Sequence, residues 1–502
     1  MTHQRRTAFG GAVATRPQDF GQDLPMDDSK PSAQLSEPTT AALHALATAF
    51  VDGLAAPGVS IGIVKGGHVV HTLSAGFADP TGHTPMRTDH LFEIGSISKS
   101  FTALAVLALV DDDKLALTDT VEQHVPWFCV QSEFPPFTLR HLLDHSSGLI
   151  MGSDSWPDEL AQVHALHTSH TGSAPDSIFH YSNVGFMTLG VVVSAVAGKP
   201  VTDVMKERIL DIVDMPNTIT TITDDDRSRM AVGSQPVHED QPWRPGDALA
   251  PATWFEISAV DGNIASTAGD MGRYLAMLLN GGELDGERVL TPESHTAMIT
   301  PTSPGGEPAP GYSRYALGIN IEHIHNEPCI THGGGMVGYS TFLIGELTRG
   351  FGVVVLTNAP GDAPGAQWLA RAAFDLVRGD VENTPVSLFE LPTYSAAPRP
   401  TLPRGNDGSV DERYASFVGH YRSFSPWFTH LRIAAADSKL WLVAPNGVEA
   451  PGTVELVEIA PGVFREGTDP RLPERLTIGP VVDGHAVWVS RHDCRYSRTF
   501  RD

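Results

Sequence analysis

The stretch that most constrains this chain is residues 102–110, Thr-Ala-Leu-Ala-Val-Leu-Ala-Leu-Val, together with the ten residues in front of it. The run carries no charge, and its apolar periodicity predicts a mostly buried helix, which needs a sizeable core around it. Immediately before it come Phe92-Glu93-Ile94-Gly95-Ser96-Ile97-Ser98-Lys99-Ser100-Phe101. A helix opening near Ser96 would set Lys99 one turn on, on the same face. The helix N-terminus adds partial positive charge at that point. Serine is a weak nucleophile until a neighbour takes its proton, and a lysine in a partly desolvated pocket has the lowered pKa to help. A Ser-x-x-Lys pair is also what a serine-capped helix produces by itself. The case for chemistry therefore depends on partners further along.

At 502 residues with 41% hydrophobic content, the chain has room for two or three globular domains. No window approaches the roughly 18 uninterrupted apolar residues of a membrane span. The formal charge of −25, from 59 acidic against 34 basic residues, argues against nucleic acid or an anionic membrane as partner and mildly favours a cationic substrate. Arg5-Arg6 precede a short, glycine-broken apolar piece, residues 8–14. A secretory signal needs a longer apolar region and a small-residue cleavage site. The expectation is a disordered tail, with a twin-arginine export signal as the alternative. Cys129, Cys329 and Cys494 are far apart and odd in number, which suits a reducing compartment better than a disulfide framework. A cytoplasmic location is expected.

Residues 1–35 have no periodicity and are left as a tail. Ser36-Glu37-Pro38 opens a helix with Leu43, Leu46, Phe50 and Leu54 at helical spacing. Val59, Ile61 and Ile63 alternate with smaller residues, and Lys65-Gly66-Gly67-His68 turns into residues 69–73, a β-hairpin signal. The acidic triplets 111–113 and 224–226 match no calcium-loop spacing and read as solvated turns or helix ends. His164, His167 and His170 lack a cysteine or carboxylate anchor, so no metal site is assigned. Phe179-His180-Tyr181-Ser182-Asn183 leads into an apolar helix ending at Gly198, where a tyrosine is by default a boundary residue. Residues 217–260 form a long loop of the kind that binds ligands, and Asp261-Gly262-Asn263 turns into a further helix. Thr331-His332-Gly333-Gly334-Gly335 lies beside strand-like runs at 340–345 and 351–357. Glycines at a strand edge mark a bulge or a close backbone approach. Five prolines between 385 and 403 then mark a linker. Beyond Tyr414, short β-rich pieces separated by turns predict a small antiparallel sandwich or barrel.

Ser96-Ile97-Ser98-Lys99, Tyr181-Ser182-Asn183 and His332-Gly333-Gly334 stand in the order used by the penicillin-recognising serine hydrolases, and the chain resembles the branch around class C β-lactamases. That branch includes D-alanyl-D-alanine carboxypeptidases, D-aminopeptidases and family VIII-like esterases. Residues 142–149, Leu-Leu-Asp-His-Ser-Ser-Gly-Leu, and 266–271, Ser-Thr-Ala-Gly-Asp-Met, are similar to the family's connecting motifs. Residues 37–378 carry the resemblance. It implies an α+β fold: a β-lactamase-like domain, with an antiparallel sheet flanked by helices and a helical subdomain, over 36–380. A linker over 381–410 and a lipocalin-like, barrel-like all-β domain over 411–502 would follow.

The resemblance also implies roles. Ser96 would form an acyl-enzyme with Lys99 activating it, and Tyr181 would share the base role and protonate the leaving group. Asn183 would hydrogen-bond the substrate or Lys99. The N–H groups of Ser96 and Gly335, beside Gly334, would form the oxyanion hole. His332 completes the catalytic set but departs from the family's Lys-Thr-Gly. Without a permanent cation there, β-lactams and terminal carboxylates become poorer substrates, as in the D-aminopeptidases, esterases and acyl-transferring relatives. The implied activity is hydrolysis of small esters, amides or peptides with no cofactor, no nucleic acid and no membrane partner, and a homo-oligomer is compatible with it. The alternative is an acyltransferase or cyclase that passes the acyl group to an amine or alcohol. A non-catalytic binding relative would have no need of Ser96, Lys99 and Tyr181 together.

Overall fold

The computed structural model describes residues 34–53, 56–152, 158–238, 243–254, 256–258, 260–305, 313–361, 365–384, 412–425, 427, 429–444 and 452–499. The hairpin forms where the glycine pair predicts it: Gly58–Lys65 pairs antiparallel with His68–Gly76. Gly66 and Gly67 take φ of 60° and 82° at its turn, a conformation that costs glycine little. On its other edge Gly58–Lys65 pairs with Phe351–Thr357. The sheet continues through Tyr339–Glu346, Glu327–Met336, Asn320–Ile324 and Ser313–Tyr315, seven antiparallel strands in all. Three adjacent strands, Gly58–Lys65, Phe351–Thr357 and Tyr339–Glu346, are buried at every residue, so helices cover both faces of the sheet.

One face packs against Glu37–Asp52 and Gly365–Val381. Leu43, Leu46 and Phe50 meet Leu369, Phe374 and Val377 over Ile61 and Val355. Ser36 caps the first of these helices, accepting from the Thr39 N–H. Asp380 ties the layer together: its carboxylate accepts from Lys65 Nζ at 2.8 Å, the Ser36 N–H at 3.0 Å and Thr39 Oγ1 at 2.9 Å. The other face carries Ala268–Leu279, whose Leu275 seats over Gly345 and Gly352. A Cβ on either glycine would fall within 3 Å of that leucine. Beyond it lies the helical region, built on Ser98–Asp111 and Asn183–Ala197, with Leu104, Leu107, Phe186 and Leu189 fully buried in the main core. Twelve residues of Ser98–Asp111, from Ser98 to Leu109, are buried, as an uncharged apolar run requires.

The acidic triplet at 111–113 has a structural use that the sequence reading did not anticipate. The Asp111 carboxylate accepts from the Thr291 N–H at 2.9 Å and from Ser294 Oγ at 2.5 Å, holding the start of helix Pro292–Ile299. The C-terminal part is a closed eight-stranded barrel. Its strands are Gly419–Arg422, His430–Ala436, Lys439–Ala444, Gly452–Ala460, Val463–Glu466, Arg475–Ile478, Trp488–Arg491 and Cys494–Arg498. Tyr421, Ile433, Leu442, Leu456, Phe464, Leu476, Val489 and Tyr496 fill its interior. This is the α+β fold with a closed β-barrel that the sequence implied. Nearly all of the tail at 1–35 and most of the linker at 381–410 lie outside the described residues.

Candidate active site

Ser96 lies in a short 3-10 turn, Gly95–Ile97, that runs straight into Ser98–Asp111, so the α-helix proper begins just past the serine. The one-turn spacing still brings the pair together: Lys99 Nζ donates to Ser96 Oγ at 3.1 Å. Gly95 has φ of +58° and the His332 strand presses on it. A Cβ at Gly95 would lie 2.5 Å from the Gly335 nitrogen, and one at Gly334 would lie 1.9 Å from the Ile94 carbonyl oxygen. Thr341 Oγ1 also donates to that carbonyl at 2.8 Å. The glycines at 334 and 335 thus mark the close backbone approach expected of them, and the backbone they carry comes up against the Ser96 turn.

Lys99 is fully buried. Its Nζ donates to the Asp261 carbonyl at 2.7 Å, stands 3.8 Å from the Asp261 carboxylate, and lies 5.0 Å from the centroid of the Tyr181 ring and 5.9 Å from that of Phe186. Burial pushes the Asp261 carboxyl pKa up, against the pull of Lys99. Tyr181 stands two residues before helix Asn183–Ala197, whose cap is Ser182, its Oγ accepting from the Gly185 N–H at 3.0 Å. Beneath the tyrosine lies His145, with ring centroids 4.1 Å apart. His145 Nδ1 accepts from the Ser182 N–H at 3.0 Å, which leaves the proton of the neutral ring on Nε2. That Nε2 is buried without a partner among the described residues. Burial, then Lys99, His332 and His180, push the His145 pKa well down. The 142–149 motif therefore serves as a neutral platform under Tyr181.

His332 is 4% exposed. Its Nδ1 is 2.7 Å from the Gly333 carbonyl oxygen, which can only accept, so Nδ1 carries the proton. Nε2 then accepts from the Tyr315 hydroxyl at 2.8 Å. Burial pushes the His332 pKa down to about 4, so no permanent cation stands where the family's lysine would. Asn183 is placed differently from one of its expected uses. Its N–H donates to the Met151 carbonyl at 2.6 Å, while its Oδ1 is buried without a hydrogen-bond partner among the described residues. It does not accept from Lys99, so of the two implied roles only contact with substrate stays open.

Several residues at this site were not singled out from sequence. Asp261 appeared only as a turn residue, Tyr315 gave no signal, and Glu93 is a lone acid in an apolar stretch. Glu93 is buried, its Oε2 3.5 Å from Asn263 Nδ2, and burial raises its pKa to about 8 despite that contact. His167 spends its Nδ1 on the backbone of its neighbour, donating to the His164 carbonyl at 2.7 Å, instead of pooling ligands with it. No group of three or more His, Cys, Asp or Glu among the described residues could hold a metal ion.

Among curated proteins, Protein Rv1367c of Mycobacterium tuberculosis is 30% identical over 260 residues, 45% of this chain. The match spans 63% of that relative's length. Among solved structures, the octameric penicillin-binding protein homologue from Pyrococcus abyssi aligns over 91% of this chain and 99% of its own, at 21% identity and a TM-score of 0.58. The D-amino acid amidase from Ochrobactrum anthropi SV3 aligns over 69% of this chain and 99% of its own, at 22% identity and the same TM-score. At these identities both structures speak to the fold. The family description "Beta-lactamase" matches residues 43–378, well over half the chain and the whole span from the first helix to the last helix over the sheet, and the chain belongs to that family.

Proposed function

We propose that this protein is a cofactor-free serine hydrolase that cleaves small esters or amides through an acyl-enzyme on Ser96. The observation that carries the reading is the cluster of a half-buried Ser96 Oγ and a half-buried Tyr181 on either side of the fully buried Lys99 Nζ. In this mechanism Ser96 Oγ attacks the acyl carbonyl while its proton passes to the Lys99–Tyr181 pair. The tetrahedral oxyanion is received by the N–H groups of Ser96 and Gly335, which the Gly95–Gly334 contact keeps together. The same pair returns the proton to the departing alcohol or amine, and water repeats the sequence on the acyl-enzyme to release the acid and restore Ser96. Asn183 Oδ1, a buried acceptor without a hydrogen-bond partner among the described residues, is available to a substrate N–H.

Specificity follows from His332. A fixed ammonium facing a carboxylate contributes about 1.5–3 kcal/mol through a charge-assisted bond. A neutral imidazole already engaged by Tyr315 and Gly333 supplies none of it. Uncharged acyl groups are therefore preferred over β-lactams. The name of the amidase neighbour, a D-amino acid amidase, is consistent with an amide substrate.

The test is intact-mass spectrometry of wild type and Ser96→Ala during turnover of an ester, an amino acid amide and a cephalosporin, with and without added amine. The expected result is acyl mass on wild type alone and a loss of turnover in Ser96→Ala of at least about 10³-fold. Equal acylation of both proteins would remove Ser96 from the reaction. Transfer to the amine in place of water would favour the acyltransferase reading.

A further inference from the structure

The barrel touches the catalytic part at a particular place. Its residues 471–474, Arg-Leu-Pro-Glu, run against the segment that leads up to Tyr181. A Cβ on Gly172 would lie 2.3 Å from the Arg471 carbonyl oxygen, and Arg471 Nη1 donates to the Ser177 carbonyl at 3.3 Å. Glu474 then reaches in. One carboxylate oxygen, Oε1, accepts from His180 Nε2 at 2.7 Å and from the Met151 N–H at 3.0 Å. His180 immediately precedes Tyr181, and its own N–H donates to the His145 carbonyl at 2.8 Å. The Met151 carbonyl accepts from the Asn183 and Val184 N–H groups at 2.6 and 3.0 Å, capping the helix that follows Tyr181. One oxygen from the barrel thus holds the side chain of the residue before the tyrosine and, through Met151, the backbone after it.

We propose that Glu474 is a positioning residue for Tyr181, so that the barrel completes the catalytic apparatus of the other domain. This rests on the reading of Tyr181 as a proton-transfer group. Proton transfer needs heavy atoms within hydrogen-bond reach, and a displacement of about 1 Å from a distant change can cost about 10²-fold in rate. Tyr181 sits on an irregular segment outside any helix or strand, so its position depends on what its neighbours are tied to. Burial works to raise the Glu474 pKa, but the bond from His180 and the charges of His180 and His492 hold it down to about 2. The anion, and with it the anchor, is present across the working pH range.

The experiment uses the full-length chain, with Glu474→Ala to remove both bonds and Glu474→Gln to restore a neutral acceptor. Hydrogen exchange is followed in the peptides covering 148–152 and 177–184, and kcat and KM are measured for a p-nitrophenyl acyl ester. The expected result for Glu474→Ala is exchange at least about tenfold faster in those peptides and kcat lower by about 10–100-fold at little-changed KM. Both should recover in part in Glu474→Gln. In a Tyr181→Phe background, Glu474→Ala should cost less than about twofold more, because it acts through the hydroxyl already removed. Unchanged exchange, or a Glu474→Ala factor that multiplies in full on Tyr181→Phe, overturns the proposal. Should Glu474→Ala not fold, His180→Gln carries the same readouts. A wild-type chain that acylates nothing would sink the hydrolase reading, while the exchange arm still decides whether Glu474 holds the segment.

Discussion

Glu93 makes the buried electrostatics of this protein measurable. It lies three residues before Ser96, is 6% exposed, and among the described residues has only the long contact to Asn263 to compensate its burial. Its pKa is about 8 in the fold against an ordinary 4.5. The folded chain therefore binds the Glu93 proton more tightly than the unfolded chain does. The stability it confers is complete below pH 4.5 and is lost as pH rises toward and through 8. At about 1.36 kcal/mol per pH unit, the loss is roughly 2–3 kcal/mol between pH 5 and 7 and about 4 kcal/mol by pH 9. Glu93→Gln keeps the shape and removes the titration. Thermal melts of both proteins across pH 5–9 should show Tm values that are close at pH 5 and diverge upward. At roughly 2 °C per kcal/mol for a domain of this size, the Gln variant should lead by about 8 °C at pH 9. Parallel curves over the whole range would refute the reasoning, since Glu93 would then be ionised in the fold and compensated by something other than Asn263.

Two further substitutions probe the frame of the site. Gly95→Ala places a Cβ 2.5 Å from the Gly335 nitrogen on a backbone with φ of +58°. It should destabilise by about 1–2 kcal/mol and lower kcat/KM by about 10²-fold as Ser96 shifts against Gly335, and unchanged kinetics would mean the two need not be held together. Tyr315→Phe leaves His332 Nε2 a buried acceptor with no donor, which should cost about 1–3 kcal/mol in urea denaturation at pH 7. A neutral effect would show that His332 finds another donor or turns its ring.

Features whose cause is local were legible in the sequence. The hairpin turn at Gly66-Gly67, the cap at Ser36, the stop at Gly198 and the uncharged helix after Lys99 each follow from neighbours within one or two turns. The Ser96–Lys99 pair and the glycines at 334 and 335 were legible because spacing along one element sets their geometry. What was not legible depends on distant partners. His332 could be identified as a departure from lysine, but its engagement by Tyr315 depends on two strands meeting through Asn320–Ile324 between them. Asn183 had two expected uses, and only packing around Met151 removed one. Glu474 sits 294 residues from His180, in a part of the chain whose short β pieces indicated a barrel and nothing about where it would dock.

The order of strands in the main sheet has a consequence for how this protein is made. Gly58–Lys65 emerges early from the ribosome, yet its inner partner is Phe351–Thr357, with Val59 opposite Thr357 and Lys65 opposite Phe351. At 5–20 residues per second, the wait between the two is about 15–60 s. Throughout it, a strand carrying Val59, Ile61, Ile63 and Val64 has one edge closed by the hairpin and the other open to any passing β-segment. The helix that covers it, Gly365–Val381, arrives later still. Nascent chains of this protein thus carry that open edge until Phe351–Thr357 is made, and slower translation lengthens the exposure. A transcript cut anywhere before Phe351 would yield a product with that edge permanently bare.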